Sequence, residues 1–265
     1  MDAIWREMRE TGMLAGHPVH FFAVTESTNT VALALARKAE TATGCLVVAE
    51  HQSGGRGRLG RSWFSPAGTG LYFSLLFRPD LDLADLPRIT LAAGLAVALA
   101  IEGQTGCVLG LKWPNDLYLD GKKCGGILTE AEGVSGSAPP AVVVGVGLNV
   151  TTAPEDFVDD LAPKATSLLA ATGIACQRGA LLAVIVRELV RLVARLEQGG
   201  FPEILALWRA RDVHQGRTVS WLNSQGQVIS GLSQGPGQDG LLRIRDGAGR
   251  LHTVISGDVS LAEPC

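Results

Sequence analysis

Gln52-Ser-Gly-Gly-Arg-Gly-Arg-Leu-Gly-Arg-Ser-Trp63 holds a literal G-x-G-x-x-G at Gly55–Gly60, just after the apolar run Leu46-Val-Val-Ala-Glu50. A dinucleotide-binding fold needs a helix to open on those glycines, so that its N-terminus faces a pyrophosphate. Here Ser62-Trp-Phe-Ser-Pro-Ala-Gly68 follows, and Pro66, Gly68 and Gly70 argue against that helix. The doubly wound parallel sheet is rejected on this ground. A kinase glycine loop fails for want of H-R-D or D-F-G, and no G-x-x-x-x-G-K-[ST] occurs.

What remains is an irregular loop over 54–70 that carries Arg56, Arg58 and Arg61 among glycines. The planar guanidinium suits carboxylate and phosphate oxygens, and glycine lets backbone N–H groups approach the same anion. A plain solvated basic loop is the alternative. Against it, three arginines with no interleaved acid repel one another unless an anion joins them. A glycine-rich loop is also costly to order, and closing over a ligand to shed water is a use that fits it.

Outward from this loop, Val31–Glu40 is rich in helix formers, and Ser27 or Thr28 is placed to cap it. Leu71, Phe73, Leu75 and Phe77 share a face at a spacing of two, which predicts a half-buried strand. Pro87 to about Ile101 is expected to be a buried helix. Asp120-Gly121 between Leu117-Tyr-Leu and Gly125-Gly-Ile-Leu-Thr marks a hairpin. Ala141–Val150 reads as a central strand, followed by helical patterns at 166–171, 178–197 and 202–211. From His214, short strand-like pieces at 218–222, 228–230, 241–244 and 251–255 alternate with turns. The expected architecture is α/β (α+β): a mixed, mostly antiparallel sheet with flanking helices over 1–213, and a small C-terminal β domain over 214–265.

The 265 residues are 46% hydrophobic and 18% charged, with a formal net charge of −3. That composition is globular and carries no whole-chain basic footprint for nucleic acid. Cys45, Cys107, Cys124, Cys176 and Cys265 are dispersed, without a CxxC or Cys/His cluster. Reduced thiols in the cytoplasm are expected, and no metal site. The N-terminus lacks the features of a signal peptide. The longest apolar run, Leu91–Ile101, is shorter than the roughly 20 residues a bilayer needs.

Two further segments can carry chemistry. In Leu111-Lys-Trp-Pro-Asn-Asp116 a lysine sits where a strand enters a turn. A half-buried lysine usually has an anionic partner; a snorkelling side chain is the alternative. In Gly145-Val-Gly-Leu-Asn149 the small residues let a ligand lie flat on a strand.

Taken together, Ser27-Thr-Asn29, Gly55-Arg-Gly-Arg-Leu-Gly-Arg61 with Trp63, Lys112-Trp-Pro-Asn-Asp116, Gly125-Gly-Ile-Leu128 and Gly145-Val-Gly-Leu-Asn149 closely resemble the biotin protein ligases. The resemblance is strong over about 20–150 and looser to the end, where the β appendage looks like that family's SH3-like C-terminal domain. It implies a biotin–[acetyl-CoA-carboxylase] ligase using biotin, ATP and Mg²⁺, with a biotin carrier domain as partner. With only about twenty residues before the core, the monofunctional form without a DNA-binding domain is expected. Homodimerisation is a family-level expectation, with sheet extension through the strand around Val142–Val146 as its route.

By the same resemblance, Ser27, Thr28, Asn29 and Gln52 contact biotin's ureido head and neighbouring atoms. Arg56, Gly57 and Arg58 close over the ligand, and Lys112 contacts the carboxylate. Arg61, Trp63 and Asn149 are adenylate contacts, and Gly145 and Gly147 flank the biotin ring. Lys112, Arg58 and Asp116 are the expected catalytic residues, Asp116 accepting the proton of the attacking amine and Lys123 assisting. A lipoate ligase is the nearest rival, distinguished by lacking a ureido group to bind. A sensor that stops at the adenylate, or a DNA-binding repressor, ranks below it, and a plain nucleotide-binding module lower still.

Overall fold

The computed structural model describes residues 3–38, 40–133, 140–158, 160–222, 227–255, 257 and 259–262. Cys265 lies outside them. Eight strands form the main sheet: β1 (Met13–Leu14), β2 (His17–Thr25), β3 (Leu46–Gln52), β4 (Gly70–Phe77), β5 (Gly110–Lys112), β6 (Asp116–Leu119), β7 (Lys122–Glu132) and β8 (Ala141–Asn149). Their order is β1-β2-β3-β4-β8-β7-β6-β5. Only β2 and β3 pair in parallel; the other pairs of this sheet are antiparallel. The mostly antiparallel sheet expected from the hairpin signal is present. At its turn Asp120 has φ 48° and Gly121 φ 71°, the two positive values of a type I′ connection.

Helices α1 (Ala3–Thr11), α3 (Leu86–Thr105), α5 (Arg178–Glu197) and α6 (Phe201–Arg209) contribute to the large core on one face. On the other face lies α2 (Thr28–Ala36), whose Ala32 and Ala36 pack with Cys45, Val47, Leu76 and Val143. This second layer corrects the expectation of a half-buried β4. All eight of its residues are buried, because small alanines let α2 approach the face that alternation alone would leave wet. The short α4 (Leu168–Thr172) is capped by Ser167, whose hydroxyl accepts from the Ala170 N–H.

Helix α3 runs 20 residues, longer at both ends than expected, and is long and apolar enough to span a bilayer by length and composition alone. Twelve of its residues are buried here within the protein core. Helix α2 starts at Thr28 and stops at Ala36, short of the predicted Glu40. Strand β8 is paired on both sides, by β4 and by β7. A dimer made by extending the sheet through Val142–Val146 is thereby ruled out, since every backbone group needed for it is already engaged.

Strands β9 (Thr218–Leu222), β10 (Val228–Pro236), β11 (Leu242–Asp246), β12 (Leu251–Val254) and β13 (Val259–Leu261) form a second, antiparallel sheet in the order β12-β11-β10-β9-β13. The last of these was not foreseen, being three residues long. Val219, Trp221, Leu242, Ile244, Val254 and Val259 belong to the same buried cluster as the main core. The indole N–H of Trp113 donates to Gly240 O at 3.0 Å, and Arg88 Nε to Gln238 O at 3.0 Å, so the C-terminal β unit is tied to the first sheet and to α3.

Candidate functional site

A cavity of about 340 Å³ opens on the α2 side of the main sheet. Ser27, Thr28, Asn29, Gln52, Arg56, Gly57, Arg58, Arg61, Trp63, Lys112, Asp116 and Asn149 all line it, as do Lys123, Gly145 and Gly147. Residues spread over more than a hundred positions are brought together because the strand order sets β3, β4, β8, β7 and β6 side by side.

One end of the cavity is neutral and polar. Ser27 holds the N-cap position of α2 in an extended conformation, yet its side chain makes no cap bond. The hydroxyl, on a residue only 2% exposed, makes no hydrogen bond among the described residues, so capping does not explain it. Thr28 N and Oγ1 donate to Gln52 Oε1 at 2.8 and 3.2 Å, and Gln52 Nε2 donates to Ser65 Oγ at 2.9 Å. Ser74 on β4 has its Oγ 2.5 Å from Asn29 Oδ1 and 2.8 Å from Thr28 Oγ1; its single hydrogen goes to the amide oxygen, which can only accept. Asn29 Nδ2 donates to Leu128 O at 3.1 Å and Glu130 Oε2 at 2.8 Å. Both amide hydrogens of Asn29 are therefore committed to the protein, and what it can offer a ligand is the second lone pair of Oδ1.

The glycines of β8 serve this packing directly. A Cβ on Gly145 would lie 2.0 Å from Asn29 Oδ1, and one on Gly147 would lie 2.4 Å from Trp63 Nε1. The room expected for a ligand ring is, at those Cβ positions, occupied by the protein's own side chains. The Trp63 indole lies on Gly147 with Lys123 Nζ 5.5 Å from the ring centroid, and its N–H is buried without a hydrogen-bond partner among the described residues. An orphaned buried donor of this kind is costly unless a ligand completes it.

The other end is cationic. Lys112 ends β5 and places its ammonium 5.9 Å from the Tyr118 ring centroid. Arg58 Nη1 reaches Asn115 Oδ1 at 3.4 Å, and Asn115 Nδ2 donates to Ile127 O at 2.7 Å. Lys123 Nζ pairs with Asp116 Oδ1 at 2.5 Å. His214, from the segment entering the C-terminal unit, is pushed down to about 4, by burial first and then by the charges of Lys112 and Arg217. It is neutral at physiological pH and adds no positive charge.

The arginine loop is less irregular than its composition suggests. Arg56 and Ser62 form an isolated bridge, Gly57 N donates to Arg61 O and Trp63 N to Gly55 O, and a short 3-10 turn covers Arg58–Gly60. Arg56 pairs with Glu130 Oε2 at 2.7 Å. The repulsion among the three arginines is thus relieved by an acid from β7 rather than by one in the loop.

Glu130, Ser65, Ser74, Asn115, Tyr118, Lys164 and Gly257 belong to this site or brace it and were not foreseen. Ser74 was detectable in principle, as a lone hydroxyl within an apolar strand that must find partners. Gly257 could not be, because only the docking of the C-terminal unit brings it to the cavity.

The sequence profile of the Biotin/lipoate A/B protein ligase family matches residues 21–149. The chain is 37% identical over 241 residues to the biotin--[acetyl-CoA-carboxylase] ligase of Mycobacterium tuberculosis, covering 89% of this chain and 86% of that protein. Identity to the bifunctional ligase/repressor BirA of Bacillus subtilis is 35% over 218 residues, 82% of this chain, and the match spans 66% of that relative's length. Among solved structures, the biotin protein ligase from Aquifex aeolicus in complex with biotin and ATP superposes with a TM-score of 0.78 at 29% identity, covering 92% of this chain and 98% of that one. With the motifs collected on a single cavity and relatives matched over most of their length, this chain belongs to the biotin/lipoate A/B protein ligase family.

Proposed function

We propose that the chain is an ATP-dependent biotin protein ligase, which forms biotinyl-5'-AMP and transfers biotin to a lysine of a carboxylase's biotin carrier domain. The observation that carries this reading is the polarity of one cavity: buried neutral hydrogen-bonding groups at one end, Arg58, Lys112, Lys123 and Arg61 at the other. A ureido ring needs the first end and a carboxylate meeting a triphosphate needs the second.

In the first step a biotin carboxylate oxygen attacks the α-phosphorus of MgATP. The bond from that phosphorus to the β-phosphate bridging oxygen breaks, and pyrophosphate leaves. Both reactants are anionic, so Arg58 and Lys112 act by fixed positive charge and positioning. Mg²⁺ arrives with the substrate. Among the described residues Asp116 is the one carboxylate lining the cavity and Lys123 already pairs with it, so the ion would be held chiefly by the triphosphate and would offset its charge.

In the second step a neutral lysine amine of the carrier attacks the acyl carbon, the bond to the AMP oxygen breaks and AMP departs. A free lysine has a pKa of about 10.4, so the amine must lose a proton, and Asp116 is the acceptor. Lys123 holds that carboxylate in place. Gln52 and Thr28 shape the ureido end, and the unpartnered Ser27 hydroxyl is a direct contact. Trp63, Arg61 and Asn149 face the adenylate. The division at residues 1–213 and 214–265, a homodimer that does not use β8, and a cytoplasmic location all belong to this proposal. Cys45, Cys107, Cys124 and Cys176 being free thiols fits that compartment. No DNA partner is included, the formal net charge being −3.

Lipoate is the rival substrate the family name admits. The Ser27 hydroxyl on the cavity wall favours biotin, because a dithiolane ring offers it no hydrogen-bond partner. Mixing the protein with MgATP, an apo carrier domain and either acid, then reading the carrier's mass, tests the proposal. A biotin-sized gain in the biotin tube alone, lost in Lys112→Ala, supports it; a gain with lipoate alone overturns the substrate.

A further inference from the structure

Glu130 stands on β7 behind the cavity wall, yet one of its oxygens serves two elements of the site at once. Oε2 accepts from Asn29 Nδ2 at 2.8 Å and from Arg56 Nη2 at 2.7 Å. Asn29 belongs to the ureido end. Arg56 belongs to the glycine-arginine loop that arches over the opening. Among the described residues no other carboxylate joins the loop to that end of the pocket.

As a stabilising contact this ion pair is a poor one. The side chains are 41% and 28% exposed, and a pair that open to water contributes between nothing and about 1 kcal/mol. Its geometry matters more than its strength. The loop between Gly55 and Trp63 closes mainly on itself, through Gly57 N to Arg61 O and Trp63 N to Gly55 O. Its side chains reach the core on opposite flanks, Arg56 to Glu130 and Arg58 to Asn115. On the first flank the Asn29 amide is pinned at three points, by Ser74, Leu128 and Glu130, and lies against Gly145, where a Cβ has no room.

We propose that Glu130 is a positioning residue that latches the arginine loop through Arg56 and, through the same oxygen, fixes the Asn29 amide against Gly145. Arg56 then acts as the arm of the latch, and the charge facing the reactants comes from Arg58 and Lys112. The inference rests on the proposed biotinylation and deepens it: closure of the loop and order at the ureido end are coupled by one carboxylate. A ligand that orders Asn29 holds Glu130 where Arg56 can reach it, and a closed loop keeps the adenylate from water.

The test follows adenylate in single turnovers with biotin and MgATP, measuring free biotinyl-adenylate against biotinylated apo carrier. Glu130→Gln and Arg56→Gln should each raise the escaping fraction about threefold to fivefold, the range an exposed ion pair supports. The double variant should do no worse than either single one. Exchanging the charges, Glu130→Arg with Arg56→Glu, should restore retention in part, which a merely structural role would not do. KM for biotin should rise in Glu130→Ala more than in Arg56→Gln, since only the former also frees Asn29. Unchanged retention in Glu130→Gln, with Arg58→Ala leaking, overturns the latch and leaves the ligase reading standing. A wild-type protein that releases no pyrophosphate on adding biotin overturns both.

Discussion

The Lys123 ammonium lies 2.5 Å from Asp116 Oδ1, across a pair of strands whose register slips between Leu117 and Tyr118. The slip pairs Lys123 with Tyr118 rather than with Leu119 and leaves Cys124 unpaired, which brings the ammonium round to the carboxylate and over Trp63. One side chain thus touches both the proposed proton acceptor and the ring proposed to face the adenylate.

Asp116→Asn should therefore separate the two half-reactions. Pyrophosphate release with biotin and MgATP should persist, while carrier biotinylation should fall about 10²- to 10⁴-fold, as for loss of a general base. Lys123→Met should give a smaller loss in the same direction. Parallel measurement of pyrophosphate and carrier mass checks this; equal loss in both assays would remove Asp116 from the transfer step.

Gly145→Ala places a Cβ 2.0 Å from Asn29 Oδ1 in a layer with no slack. Overpacking of this kind costs about 1–3 kcal/mol, and the Asn29 amide must shift. The urea midpoint should fall and KM for biotin should rise, with KM for ATP little changed. A rise confined to ATP would place Asn29 at the wrong end of the cavity.

Asp212 and His214 titrate in opposition at the junction of the two sheets. Burial pushes the Asp212 carboxyl up to about 6 from 3.8, against the backbone N–H groups of His214 and Gln215. Burial also pushes His214 down to about 4 from 6.5. Asp212 binds its proton more tightly when folded, so its contribution to stability is full below about pH 4 and is lost as pH rises towards 6. His214 does the reverse: its contribution is full above 6.5 and is lost as pH falls towards 4. Over the shared window the two slopes cancel, and the wild-type curve should be shallow. Asp212→Asn should make stability fall on acidification, and His214→Gln should make it fall as pH rises. Urea midpoints across that window read both slopes; parallel curves for all three proteins would refute the pair.

Trp113→Phe removes the hydrogen bond to Gly240 O while keeping an aromatic ring in the core. The expected cost is about 1 kcal/mol, the net worth of one buried hydrogen bond. Because Trp113 follows Lys112 directly, kcat for adenylate formation should fall as well. A stability loss with kcat intact would make the C-terminal contact a staple without influence on the site.

Much of the site was legible before any fold was known, and the reason lies in spacing. Asp120-Gly121 specifies a hairpin through local backbone preference, and that hairpin sets Asp116 near Gly126 with little help from the rest of the chain. The glycine-arginine loop was recognisable because Pro66 and Gly68 forbid the helix a dinucleotide motif requires. Ser27 was ambiguous in sequence between helix cap and ligand contact. The structure resolves its geometry, since the hydroxyl takes up no cap bond.

By itself the sequence determined the class of the fold and the position of nearly every element from residue 28 to 255, through local backbone preference and hydrophobic period. Which residues would meet at the cavity came from the resemblance of its motifs to the biotin protein ligases. Only the tertiary structure decided that β4 is buried on both faces, that β8 is interior and cannot be a dimer edge, that Arg56 answers to Glu130, and that Gly145 and Gly147 make room for Asn29 and Trp63. These are contacts between residues distant in the chain, set by strand order and by the approach of α2, and no local pattern encodes a distance across a sheet.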